Sequence, residues 1–273
     1  MLLFGTAGIP ITTQKRSSIN GIKRVKELGL GAMELEFVYG VKMSETLAQK
    51  IKVVAKQENV SLTAHGPYYI NLNSYKKETV QASINRILKT ARITKIAGGE
   101  SITFHAATYG GAKPESVYNT VRNHLSQIVK ILQEEGNNIW IRPETTGKQS
   151  QFGTLNEIIK LSQEIEQVLP NIDFAHLNAR TNGKSNRYDH FEKVLNVLET
   201  GLGREILDNM HIHVSGIEYS PKGERRHTTL LESDINYEEL IKSWKDYRIK
   251  GIVISESPNI EFDALLLKKL MNR

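Results

Sequence analysis

The segment Ser61-Leu62-Thr63-Ala64-His65 closes on a histidine, and the chain repeats the device 40 residues later in Ser101-Ile102-Thr103-Phe104-His105. Both are short, largely apolar runs of strand-forming composition, and both put a metal-binding side chain at the C-terminal end. Working outward, the same placement recurs: Glu144 after the run 138–142, Asp173 with His176 at Ile172, His213 in Met210–Val214, and Glu256 after Gly251–Ser255. From His65 the intervals are 40, 39, 29, 40 and 43 residues. One βα unit takes roughly 30–40 residues, so this spacing predicts a (β/α)8 TIM barrel whose strand ends converge on one mouth. Four imidazoles and three carboxylates aimed there predict a multinuclear metal centre.

The rest of the chain keeps the alternation. Strands are expected at 2–5, 32–37, 61–64, 101–105, 138–142, 172–175, 210–214 and 251–255. Helices are expected at 18–28, from an N-cap at Ser44, at 76–96, after Pro114, and at 155–168, 190–200, 237–246 and 260–271. In the second strand Met33, Leu35 and Phe37 alternate with Glu34 and Glu36; in the helix after Pro114 one face carries Val117, Val121, Leu125, Ile128 and Leu132. Gly98-Gly99 and Pro170 are stop signals. Strict alternation means a parallel α/β sheet, and eight pairs in 273 residues close it into one barrel domain, 1–273. An open doubly wound sheet is the alternative, but no G-x-G-x-x-G or P-loop motif occurs.

Composition narrows the classes. A hydrophobic content of 39% is enough for one core, and a net charge of +6 with pI about 9.3 favours a polyanionic partner. With no cysteine, disulfides, thiolate zinc sites and thiol nucleophiles are excluded, and the chain reads as cytoplasmic. The opening MLLFGTAGIP lacks a basic region and is expected to form a strand, not a signal peptide. No apolar run approaches the ~18 residues that span a bilayer.

Each candidate ligand has a plainer alternative. His65 and His105 could be strand-end histidines bonded to backbone, and Glu144 could pair with Arg142 or Lys148. Asp173 and His176 would point to opposite faces of a strand and reach one site only if the chain turns between them. His211 and His213 share a face; His213 is expected as the ligand and His211 as packed behind it. Glu224 and His227 lie in Glu224-Arg225-Arg226-His227, either ligands or a solvated charge run. His124 and His190 fall on expected helices, at the surface.

Taken in order, the motifs resemble the endonuclease IV family of apurinic/apyrimidinic endonucleases, in the xylose-isomerase-like barrel group, and look most like an archaeal-type branch. The matching pieces are His65-Gly66-Pro67-Tyr68 with Ile70-Asn71-Leu72, Phe104-His105, Glu144-Thr145-Thr146-Gly147 with Gly153-Thr154, Asp173-Phe174-Ala175-His176, His213 and Glu256-Ser257-Pro258. The resemblance implies two or three Zn2+ ions, with Mn2+ possible for such ligands. It assigns His65, His105 and Glu144 to the first, Glu144, Asp173, His213 and Glu256 to the second, and His176 and His227 with an acidic neighbour such as Glu224 to the third. Glu144 and Glu256 are then the expected catalytic carboxylates. The family's Asp-x-His at the third zinc is absent: Arg225 stands at the Asp position, with Glu224 one residue earlier. His213-Val214-Ser215-Gly216 and Gly5-Thr6-Ala7-Gly8 also depart from the family pattern.

The implied activity is hydrolysis of the DNA phosphodiester 5′ to an abasic site in base excision repair, by a water made acidic between two ions. The implied partner is double-stranded DNA carrying abasic sites, with no membrane and no obligate protein partner. Loop cations expected to meet phosphates are Lys15, Arg16, Lys148, Arg180, Lys184, Arg187, Lys222, Arg225 and Arg226, and Tyr68 and Tyr69 could stack at the abasic gap, although at least one of the two should pack beneath its loop. Two rivals stand beside this reading: a sugar isomerase or epimerase with one divalent metal on Glu144, Asp173, His213 and Glu256, and a degenerate relative that binds DNA without cutting it.

Overall fold

The computed structural model describes residues 1–273. In chain order its elements are β1 (Leu2–Ala7), α1 (Ser18–Glu27), β2 (Ala32–Glu36), α2 (Glu45–Glu58), β3 (Ser61–His65), α3 (Lys77–Ile96), β4 (Ser101–Phe104), α4 (Pro114–Glu134), β5 (Trp140–Pro143), α5 (Leu155–Glu164), β6 (Ile172–Asp173), α6 (Phe174–Arg180), α7 (Tyr188–Leu202), α8 (Arg204–Leu207), β7 (Met210–Val214), β8 (Gly216–Ser220), β9 (Gly223–Thr228), α9 (Tyr237–Asp246), β10 (Gly251–Ser255) and α10 (Glu261–Met271). Eight parallel strands run in the order β5-β4-β3-β2-β1-β10-β7-β6, the curled sheet of a (β/α)8 barrel. No helix is long and apolar enough to cross a membrane.

The expected elements stand with local corrections. Ser44 caps α2, its hydroxyl accepting from the Leu47 amide. Thr154 and Glu157 form a reciprocal capping box on α5. That helix stops at Glu164 rather than 168, because Ile165 is extended and the 165–171 segment is needed to close the barrel. There the Ile141 amide donates to the Gln167 carbonyl, the Leu169 amide to Ile141, and the Asn171 amide to Pro143. The expected strand 172–175 keeps only two residues, since Asp173 starts a helix. The β8–β9 hairpin was not expected; its 216–228 segment reads as loop in sequence.

Along the strands the two faces divide the labour. Met33, Leu35, Leu62, Ile102, Phe104, Ile141 and Ile212 face the helices and join one cluster of 60 buried apolar residues. The opposite face looks into the barrel and is largely polar. Thr63 Oγ1 donates to Glu34 Oε2 at 2.7 Å, Asn171 Nδ2 to Thr103 Oγ1 at 2.9 Å, and Ser101 Oγ meets His211 Nδ1 at 3.1 Å. Such interiors are more often filled with branched apolar residues, so this one is reserved for something else.

Arg142 staples the seam at the N-terminal end of the barrel. Its Nη1 donates to the Pro170 carbonyl (2.9 Å) and its Nη2 to the Asn209 carbonyl (3.0 Å) and Oδ1 (2.9 Å). It does not pair with Glu144, as one sequence reading allowed. Arg142→Met should lower the unfolding free energy by about 2–4 kcal/mol, since buried acceptors lose a charged donor. Urea titration reads this as a lower midpoint at unchanged slope; an unchanged midpoint would mean that closure does not depend on the staple.

Candidate metal centre

Each functional side chain leaves the end of a strand. Glu144 follows β5, fixed by its own amide donating to the Phe104 carbonyl and by the Thr145 amide donating to Asn171. Its carboxylate is buried, and neither oxygen has a hydrogen-bond partner. Around it stand four imidazoles: His65 Nε2 at 3.4 Å and His105 Nε2 at 3.5 Å from Oε2, and His176 Nδ1 at 3.1 Å and His213 Nδ1 at 3.5 Å from Oε1.

Asp173 and His176 meet through a helix turn. Asp173 is the N-cap of α6, its Oδ1 accepting from the His176 amide at 2.7 Å. The turn swings His176 back into the mouth, with Nδ1 3.5 Å from Asp173 Oδ2. The chain therefore does turn between the two residues, and the opposite-face objection disappears.

The hairpin delivers Glu224 and His227. In a regular strand residues three apart face opposite sides, but the pairing slips: Glu218 opposes Arg226 while Tyr219 opposes Glu224. Arg225 is the extra residue of a β-bulge, and it restores Glu224 and His227 to one face. His227 Nε2 lies 3.2 Å and Glu224 Oε2 3.6 Å from His176 Nε2. The approach depends on Gly147: a Cβ there would sit 2.7 Å from Glu224 Cβ and 3.0 Å from His176 Cδ2. Glu256, after β10, faces His213 Nδ1 at 3.4 Å and His227 Nδ1 at 3.7 Å.

These side chains form adjoining donor groups: His65, His105 and Glu144; Glu144, Asp173, His213 and Glu256; and Asp173, His176 and His227, beside Glu224. Their chemistry fits divalent cations. Glu144 Oε1 and Oε2, Asp173 Oδ2, His213 Nδ1 and Glu224 Oε2 are buried without a hydrogen-bond partner, an arrangement that is costly unless a cation or proton sits among them. His65, His105, His176, Glu224, His227 and Glu256 line a cleft of about 580 Å³ together with Glu36, Tyr68 and Lys148.

Sequence reasoning missed Glu34 and Glu36. Both lie on the barrel-facing side of β2, and the signal was the alternation with Met33 and Leu35, which in a strand coated by helices sends the carboxylates inward. Burial raises Glu36, reinforced by the Glu34 charge, to about 8. Burial works against charging Glu34, but His213 and His211 hold it well below the usual range. His211 sits behind the centre, Nε2 3.1 Å from Glu34 Oε2. His124 and His190 are half-buried on helices, away from the mouth.

The expected DNA contacts divide. Lys148 and Tyr68 line the cleft, and Lys222 is exposed at the hairpin turn. Tyr68 is 60% and Tyr69 51% exposed, so neither packs beneath its loop as expected. Arg180 is committed elsewhere: its Nη1 donates to the Thr146, Lys148 and Gln151 carbonyls and holds the loop after β5 instead of standing free. Arg225 and Arg226 share the Glu218 carboxylate at 3.0 and 2.7 Å. Lys15 and Arg16 lie on the loop after β1, where Arg16 donates to the Ile9 carbonyl.

The comparisons place the fold. The chain belongs to the xylose isomerase-like TIM barrel family, whose model matches residues 22–271. It is 44% identical over 272 residues to an uncharacterized protein of Methanocaldococcus jannaschii, covering 100% of this chain and 97% of that one. It is 23% identical over 185 residues to a probable endonuclease 4 of Pediococcus pentosaceus, covering 66% and 60%. Among solved structures it is similar to a D-tagatose 3-epimerase-like protein (TM-score 0.73, 18% identity, 98% and 96% covered). Endonuclease IV from Thermus thermophilus is as near (TM-score 0.72, 16% identity, 98% and 99% covered).

Metal loading should reverse the pH dependence of stability. Burial opposes charging His65, but Glu144 outweighs it and carries the ring to about 10; His176 and His213 are also raised. The metal-free protein thus keeps protons that the unfolded chain sheds above about pH 6.5, and its stability falls as pH climbs from there toward 10. With Zn2+ bound the ligand imidazoles stay unprotonated, so stability rises from about pH 5 to 7 and then levels. Melting curves with chelator and with Zn2+ test this; parallel pH profiles would remove the metal centre.

Proposed function

We propose that the protein is a metal-dependent endonuclease that hydrolyses the DNA phosphodiester on the 5′ side of an abasic site, as base excision repair requires. One observation carries this reading: donor groups extend to both sides of Glu144. A one-metal sugar isomerase has use for Glu144, Asp173, His213 and Glu256. It has none for His65 with His105 on one flank, or for His176 with His227 and Glu224 on the other. The likeness to a probable endonuclease 4 and to endonuclease IV supports it, and so does the charge of +6.

Divalent cations bound there, Zn2+ or Mn2+, would supply Lewis-acid charge and a water acidic enough to attack a phosphodiester near neutral pH. Glu144 belongs to two of the donor groups and would be shared between the ions they hold. Asp173, His213 and Glu256 would complete the second site, and His176, His227 and Glu224 a third. Tyr68, its ring 5.6 Å from that of His65, stands at the rim where a missing base leaves a gap. An abasic nucleotide has no base to unstack, so extruding it costs less than extruding a normal one. Lys148 on the cleft wall, with Lys222 on the hairpin, would meet backbone phosphates of duplex DNA without reading sequence.

A second reading has its own observation. Glu144 and Glu256 belong to one four-residue donor group, and a carboxylate pair beside one cation suits proton transfer at a sugar carbon. The D-tagatose 3-epimerase-like structure is similar to the same extent.

The deciding assay is incision of a duplex carrying one tetrahydrofuran abasic analogue, with and without chelator, alongside incubation with D-tagatose. Metal-dependent cutting on the 5′ side with a 3′-hydroxyl product supports the nuclease. Epimerised sugar without cutting supports the rival, and duplex binding without either supports a degenerate binder. Glu144→Gln should lower incision at least about 100-fold while the protein stays folded by circular dichroism; full incision by this variant would exclude the site. Lys148→Ala should weaken duplex binding equally for all sequences and reduce the salt slope by about one, whereas a changed sequence preference would contradict a phosphate contact.

A further inference from the structure

The ligand histidines are not presented alike. His65 Nδ1 lies 2.7 Å from the Gly66 carbonyl, and His176 Nδ1 lies 2.9 Å from the Thr145 carbonyl and 3.1 Å from Glu144 Oε1. A carbonyl only accepts, so when either ring is neutral its proton is on Nδ1 and Nε2 is bare. His213 is turned the other way. Its Nδ1 faces Glu144 and Glu256, and its Nε2 lies 2.9 Å from Glu34 Oε1 in the sealed barrel interior. Its partner is therefore a carboxylate instead of a peptide carbonyl.

Glu34 is itself held in place. Oε2 accepts from Thr63 Oγ1 at 2.7 Å and faces His211 Nε2 at 3.1 Å, while His211 Nδ1 meets Ser101 Oγ at 3.1 Å. Glu34, Thr63 and His213 are all 0% exposed, so water cannot replace any member. Glu34 Oε1 and His213 Nε2 have no other polar partner, and their 2.9 Å contact is close without being an aligned hydrogen bond.

We infer that Glu34 is the positioning residue of the centre: with a cation on Nδ1, His213 turns its Nε2 proton onto the neighbouring Glu34 Oε1, which fixes that ring and makes it a stronger donor than the carbonyl-bonded His65. The physical ground is that a buried carboxylate stabilises an N–H proton, and the positive charge drawn onto the ring by a cation, more than a carbonyl does. In this assignment Glu34 touches neither metal nor substrate; Glu34, His211 and His213 also lie close enough together to hold a cation, the arrangement that a Zn2+ ion on His213 Nε2 would reveal. Thr63, His211 and Ser101 serve by keeping the carboxylate from rotating away. The inference rests on the metal-centre reading above.

Two measurements test it. The first uses the unaltered protein, histidine-labelled with nitrogen-15 and loaded with Zn2+, and reads ring tautomers by long-range proton–nitrogen correlation. His65 and His176 should carry Nδ1–H, and His213 Nε2–H. An Nδ1–H proton on His213, or a Zn2+ ion on its Nε2, would overturn the inference.

The second compares Zn2+ affinity and stoichiometry in the parent, Glu34→Gln and Glu34→Asp by competition with a chromophoric chelator. In Glu34→Gln one Zn2+ equivalent should bind about 10–100-fold more weakly, with the others unchanged, and Glu34→Asp should recover part of the loss. Unchanged affinity for every equivalent in a folded Glu34→Gln overturns the inference while leaving the metal centre standing. A parent protein that binds no Zn2+ removes the centre, and the inference with it. Should Glu34→Gln fail to fold, the tautomer spectrum of the parent decides alone.

Discussion

The buried carboxylate of Glu144 is the constraint to which the mouth of the barrel answers. It lies within 3.1–3.5 Å of four imidazoles, and neither oxygen accepts an aligned hydrogen bond. An uncompensated carboxylate costs several kcal/mol to bury, so positive charge must gather there as protons on the rings or as bound cations. The backbone offers no escape, because the exit of β5 is bonded to both neighbours, through Phe104 on one side and Asn171 on the other. Strand geometry thus places a charge where it must be answered, and the surrounding strand ends supply the residues that answer it.

That arrangement is tolerable because stability is secured elsewhere. The apolar faces of the strands pack outward against the helices in one continuous cluster, leaving the interior free to be polar. Where the interior is apolar, Ile252 and Ile254 of β10 pack with Ala32, in register beside His211 and His213 of β7. At the opposite end Arg142 holds the seam through the Pro170 and Asn209 carbonyls and Asn209 Oδ1. Chemistry at one end and closure at the other use different residues, so loss of the first need not unfold the second.

The division also explains what could be read from the sequence. Strand ends were legible because each apolar run stops at a charged or ligating residue, and spacing alone then implied convergence. Asp173 and His176 read ambiguously: an N-cap and a strand residue share composition, and only the turn into α6 sets their directions. The hairpin was hidden because its strands carry Glu218, Arg225 and Arg226 where apolar alternation would have announced them. The bulge at Arg225 was beyond reach, since register depends on cross-strand pairing that no local pattern encodes. It is nonetheless what brings Glu224 and His227, three residues apart, to one face beside His176. Glu34 and Glu36 were read as the polar face of a strand, correct in periodicity but left without a destination. In a barrel whose outer face is coated by helices, that destination is the interior.

Adding Glu34 and Glu36 changes the electrostatic account of the centre. The buried or cleft-facing carboxylates are then Glu34, Glu36, Glu144, Asp173, Glu224 and Glu256. Three divalent ions carry as much positive charge as these six groups carry negative, with every ligand imidazole neutral. One divalent ion would leave four negative charges to be met by protons. Glu36, already pushed up to about 8, can take one; the others must go to rings such as His65 and His176, which would then be unable to bind metal. A mononuclear centre would therefore leave more of the flanking histidines to act as buried cations, whereas a trinuclear one would use them as ligands. On electrostatic grounds alone, the residues that a sugar epimerase has no use for are the same ones whose protonation it would have to sustain.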